Sequence, residues 1–177
     1  MIEAQELGRS IYNGIIRAPL SDPQNYLSYE TIMYKTFAVD PSERLPKSHI
    51  VEVIAGILFG AELAISEKFH FDTTMDKINE GIIKEMSYHL KEFDFEDLEI
   101  DDLISHCYSR VDEYFEMFTA SKDSGVVLVI GKHFYWNVIG REEITSDLLF
   151  SIVPSAVSKI VFAQKCVRQY LNEFKVV

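Results

Sequence analysis

Five histidines and two cysteines carry most of the chemistry this 177-residue chain offers. Two of the histidines follow a carboxylate by one helical turn: Glu85 with His89 and Asp102 with His106, both at i, i+4. If residues 74–93 and the helix ending near Phe118 form an antiparallel hairpin, the two pairs fall at similar depth, and two imidazoles with two carboxylates are a donor set for zinc or iron. Helical geometry argues against it. His89 falls beside the apolar stripe of its helix, while Asp102 and His106 point away from theirs. The expected state is an exposed pair at the end of a hairpin, with no metal held.

Other constellations fare no better. Glu67 and His70 stand at i, i+3, the ligand spacing of di-iron helical bundles, which need a second such pair and two further inward glutamates. Arg44 and His49 in "RLPKSH" have an R-x4-H spacing that is similar to that of the HEPN ribonucleases. Pro46 lies inside the motif and breaks the helix that would hold both side chains. "DFEDLEIDD" is rich in carboxylates but lacks the sixth-position glycine and twelfth-position glutamate of a calcium loop beginning at Asp94. No Gly-rich phosphate loop, nucleophile elbow or HExxH is present, so no catalytic residue is assigned. Cys107 and Cys166 sit in separate helical patterns without a CxxC pairing, as expected of two buried thiols in a reducing compartment.

His133 and the single tryptophan, Trp136, lie in "GVVLVIGKHFYWNVIG", residues 125–140, which has one charge in sixteen residues. The stretch is short for a bilayer span and is flanked by charge. A β-hairpin there has no sheet to join. A helix apolar on every side, surrounded by its neighbours, fits best. His133 is then a haem-ligand candidate or, as expected here, a neutral buried histidine. His133 and Trp136 are the residues of a possible apolar pocket.

Charge is the sharper signal. The formal net charge is -11, and residues 92–116 hold ten acidic residues against one basic, Arg110. No two Lys or Arg residues are adjacent, and a phosphate backbone is repelled by such a chain; nucleic-acid binding is not expected. Acidic residues before a helix favour its positive end, yet this density exceeds what capping requires. Asp94, Glu96, Asp97, Glu99, Asp101 and Asp102 are therefore the expected docking residues for a basic protein partner. The start "MIEAQELGRS" has no basic segment followed by an apolar block, and the expectation is a cytoplasmic chain.

The elements that must position these groups are helical almost throughout. Apolar spacing predicts helices over about 2–17, from Asp22–Pro23 through Phe37, a short turn at Asp40–Pro41, then 48–69, 74–93, a helix ending near Phe118, and 146–174. The 48–69 helix is apolar on two sides, with Gly56, Gly60 and Ala64 in a second line that invites a neighbour's backbone, and it reads as central. Pro154 is expected to kink or split the last helix. The expected fold is a single all-α domain over 1–177, a compact bundle of about six or seven helices with two central apolar ones. Its expected role is a non-enzymatic interaction or regulatory module, with no cofactor, no metal and no membrane insertion. The alternatives are a metal- or haem-binding helical protein, and a carrier or enzyme with an apolar pocket. Self-pairing through the last helix into a homodimer is the expected form of any oligomer.

Overall fold

The computed structural model describes residues 2–17, 47–70, 72–92, 96–120, 130, 131, 133, 137 and 146–174. They form helices and no strand: α1 (Ala4–Ile11), α2 (Lys47–Phe69), α3 (Thr73–Lys91), α4 (Asp97–Ala120) and α5 (Ser146–Glu173), with a π-helical turn, Tyr12–Ile16, continuing α1. The described residues thus hold five α-helices where the sequence predicts six or seven. The helices expected between Asp22 and Pro46 lie outside the described residues.

Helix α2 is the centre. Residues 52–66 are buried without exception, as the two-sided apolar pattern predicts. α5 and α4 make the most extensive contacts with it. Gly60 faces α5, and a Cβ there would fall on the Ile160 carbonyl, so the small-residue line does accommodate a neighbour's backbone. On the α4 side the Phe59 ring meets those of Tyr114, Phe115 and Phe118 edge-on, at centroid distances of 5.6, 5.1 and 6.2 Å. Phe118 is 41% exposed and touches Phe59 from the rim of the cluster.

α2 ends at His70, whose φ of 50° turns the chain in the left-handed region while its N–H still bonds the Ser66 carbonyl at 2.9 Å. Asp72 then caps α3, accepting from the Thr74 and Met75 amides at 2.8 and 3.2 Å. The α3 stripe of Met75, Ile78, Ile82, Met86 and Leu90 is buried as its spacing requires. Along α4 the buried positions are Ile100, Leu103, Ile104, Cys107, Val111 and Tyr114. α5 runs unbroken through Pro154, so the proline does not split it.

Within 125–140, the four described residues, Ile130, Gly131, His133 and Asn137, are helical. Ile130 is buried, and Gly131 packs on Val153 and Val157 of α5. The helical reading holds at those positions; the rest of the stretch, Trp136 included, lies outside the described residues.

Among the described elements, α1 docks chiefly on α3. The α-helical period places Leu7, Ile11 and Ile15 on one line, but the π turn admits an extra residue and moves the buried face to Tyr12 and Ile16, leaving Ile15 half-buried. The helices meet backbone to backbone: a Cβ on Gly8 would fall on the Ile78 carbonyl, and one on Gly81 on the Gln5 carbonyl. Gly14, by contrast, has nothing within 4 Å of a built Cβ. Among the described residues no helix is long and apolar enough to cross a membrane.

A Gly81→Ala substitution removes a helix cost of about 1 kcal/mol but overpacks the α1–α3 contact at a typical cost of 1–3 kcal/mol or more. Urea unfolding is expected to show a net loss of about 1–2 kcal/mol for Gly81→Ala, and no loss for Gly14→Ala. Equal stabilities of the two variants would refute the close approach.

Candidate functional site

Five of the six expected docking residues lie among the described residues. Glu96, Asp97, Asp101 and Asp102 are exposed at the start of α4 and Glu99 is half-buried, while Asp94 lies outside the described residues. Part of this charge has a local use. The Glu96 amide donates to Glu99 Oε2 at 3.2 Å, half of a capping box, and Asp97 takes Lys91 at 2.8 Å. Asp112, Glu113 and Glu116 continue the acidic surface toward the other end of the helix, all exposed. Arg110, the one basic residue of 92–116, is turned onto Glu52 at 2.6 Å and also pairs with Glu113.

The two carboxylate–histidine pairs do not converge. His106 is exposed and bonded to the Asp102 carbonyl at 2.8 Å, with the Asp102 carboxylate 3.4 Å away, as expected. His89 corrects the expectation of an exposed pair: it is 4% exposed and shares a 2.8 Å hydrogen bond with Tyr12 Oη of the π turn. The apolar stripe beside which His89 falls is the one that receives α1, so the imidazole is sealed in. Burial lowers its proton affinity below the ordinary histidine range, with Arg17 acting in the same direction. Glu85 meanwhile accepts from Arg9 Nε and Asn13 Nδ2, both at 2.9 Å, rather than facing His89. Glu67 is held by Arg168 and Gln164 of α5, away from any ligand role with His70. Among the described residues no group of three or more His, Cys, Asp or Glu side chains is arranged to hold a metal ion. His133 is half-buried.

Two groups that sequence reasoning passed over are the most unusual in the structure. Glu52 and Glu62, which interrupt the apolar run of α2, are only 2% and 3% exposed. Charged residues are almost never buried so fully unless paired, and the two glutamates meet that demand unequally. Glu52 receives the Tyr114 hydroxyl and Arg110 Nε, both at 2.6 Å. Burial raises its proton affinity above the ordinary carboxylate range, and the phenol and guanidinium pull it back. An open cavity of about 300 Å³ beside it reaches Glu99, Asp102 and His106. Glu62 has one weak donor, Asn79 Nδ2 at 3.2 Å, and its Oε1 is buried without a partner. Burial pushes its proton affinity up to about 7, and Asp112 acts in the same direction.

Glu62 lines a second open cavity, of about 420 Å³, between α3 and α4. Asn79 Oδ1 and Tyr108 Oη border the same space and are likewise buried and unpartnered. The Tyr108 hydroxyl is held well above its ordinary proton affinity by burial, then by Glu62. Met75, Val111 and Phe115 supply apolar wall, and the exposed Asp76, Asp112 and Glu116 stand around the opening. The sequence signal for Glu62 was the residue type in an unsuitable place: a carboxylate with no neighbouring cation in a helix apolar on two sides.

Chemically the arrangement can exchange a proton near neutral pH and can accept hydrogen bonds. Elsewhere in the core, burial pushes the Cys107 thiol up, away from thiolate. The fold and its sites thus define an all-helical protein with two buried carboxylates beneath an acidic helix. Comparison with family models, curated proteins and solved structures gives no match to this chain.

The Glu62 environment sets a pH dependence. The folded state retains a proton up to about pH 7 that the unfolded chain releases near pH 4.5. The group's stabilising contribution is complete below about pH 4.5 and is lost as pH rises through 7. A shift of this size is worth up to about 3 kcal/mol. Glu62→Gln removes the titration and retains an acceptor for Asn79, so chemical denaturation is expected to find it more stable than the parent by about 1–3 kcal/mol at pH 8, and equal near pH 4.5. Parallel pH profiles for the two proteins would contradict the assignment.

Proposed function

We propose that this chain is a non-enzymatic interaction or regulatory module that binds a basic protein surface through α4. One observation carries the reading: α4 exposes Asp97, Asp101, Asp102, Asp112, Glu113 and Glu116, while its only basic residue is drawn inward onto Glu52. The surface field of that face is therefore predominantly negative, offset locally where Lys91 meets Asp97 and Arg110 meets Glu113. Such a field raises association rates with a cationic partner and disfavours acidic ones. In this reading the chain is a cytoplasmic bundle of six or seven helices, with α2 and the 125–140 helix at its centre. α4 lies across one side of that bundle as the recognition element.

The expected behaviour is salt-sensitive binding that depends on where the acid lies and not only on how much there is. The triple variant Asp97→Asn, Glu99→Gln, Asp101→Asn is expected to weaken binding to immobilised poly-L-lysine at least tenfold at about 50 mM salt. The charge-matched control Glu3→Gln, Glu80→Gln, Glu173→Gln should change it less than twofold. Equal losses in the two triples would reduce the effect to net charge and overturn the proposal.

A further inference from the structure

We infer that the cavity between α3 and α4 receives the ammonium end of a lysine side chain from the basic partner, with Glu62 as its carboxylate. The inference rests on the reading of α4 as a docking face and names the group that face takes up.

Three oxygens in this cavity are buried without a hydrogen-bond partner: Glu62 Oε1, Asn79 Oδ1 and Tyr108 Oη. Leaving such atoms unsatisfied is costly, and folded proteins rarely do so without a ligand, an ion or water to meet them. An alkylammonium carries three N–H donors and no acceptor, one donor for each of these oxygens. Among the described residues no Lys or Arg lines the cavity, and Glu62 has no cation among its partners there. The incoming ammonium supplies that charge.

Lysine fits better than arginine for a specific reason. A guanidinium fork is best used against both oxygens of one carboxylate, and Glu62 Oε2 already accepts from Asn79 Nδ2 at 3.2 Å, so Oε1 is the oxygen left wholly open. What remains is one oxygen from each of three residues, a set suited to a compact ammonium. Met75, Val111 and Phe115 give the methylene stem an apolar wall. Asp76, Asp112 and Glu116 draw the cation toward the opening, and Asp112 and Glu116 belong to the acidic surface of α4 itself. That continuity favours a side chain presented by a protein over a free amine.

The test is an NMR titration of the full chain, following the Met75 methyl and the Asn79 side-chain amide. The probes are an acetyl-Gly-Lys-Gly-amide peptide, its arginine and acetyl-lysine counterparts, and n-butylamine. The lysine peptide is expected to shift both resonances saturably, with a dissociation constant at least tenfold below those of the other three. Glu62→Gln should weaken it at least tenfold. Tyr108→Phe, which removes one of the three acceptors, should weaken it by a smaller factor and serves if Glu62→Gln perturbs the fold.

Equal affinity for the lysine and arginine peptides would mean attraction to the surface alone and would overturn the inference. So would the absence of a saturable shift with any probe, the result of a cavity that holds only water. Butylamine binding as tightly as the lysine peptide would replace the protein partner with a small amine and overturn it too. The docking reading is judged separately. Position-dependent poly-L-lysine binding that survives in Glu62→Gln, with no lysine-peptide shift, would sink the pocket and spare the face.

Discussion

Helix α2 is surrounded for the whole of residues 52–66, and two of those residues are glutamates. A helix so enclosed can only be built by packing others on every side, which fixes where α3, α4 and α5 must lie. It also means that the carboxylates cannot turn to water, so the neighbouring helices must supply polar partners or leave the charge suppressed. Glu52 obtains a phenol and a guanidinium from α4. Glu62 obtains a side-chain amide from α3 and retains an unpartnered oxygen. The contrast between the two is the main source of the chain's chemistry.

Recruiting Arg110 to Glu52 has a second consequence at the surface. α4 directs much of its one guanidinium to the interior, and the charged residues fully exposed along it are acidic apart from His106. Burial and surface field are coupled through a single side chain: Arg110 divides its guanidinium between the buried Glu52 and the exposed Glu113, so less of its charge offsets the docking face. At the other edge of the same helix, Tyr108, Asp112 and Glu116 border the cavity over Glu62. The face and the cavity are thus two aspects of one arrangement.

The remaining helices are held by contacts that tolerate little change. α1 lies against α3 through Gly8 and Gly81, where a methyl group would strike backbone. The π turn that follows rotates Tyr12 inward to meet His89. Close backbone approach and a buried polar bond occur in the same interface, one setting its distance and the other its register. Gly60 sets the approach of α5 to α2 in the same way, and the bidentate Arg168–Glu67 pair closes the exposed end of that contact.

Much of the fold was legible in the sequence, because helical periodicity and two-sided apolarity are local properties of consecutive residues. The all-helical class, the central place of α2, the one-sided stripe of α3, the close contact at Gly60 and the acidic exposure of α4 all follow from residue types and a spacing of 3.6. The break in period at Tyr12 was not legible, since a π turn is chosen by what the side chain finds across the interface. Nor was the state of His89, which depends on α1 covering it. The same holds for Glu52 and Glu62. Their sequence surroundings are alike, yet one meets Arg110 and Tyr114 and the other does not, and only the crossing of α2 with α4 decided that. Sequence alone determines which faces are apolar and where charge is dense; the pairing of buried polar atoms arises between segments far apart in the chain, where no local pattern records it.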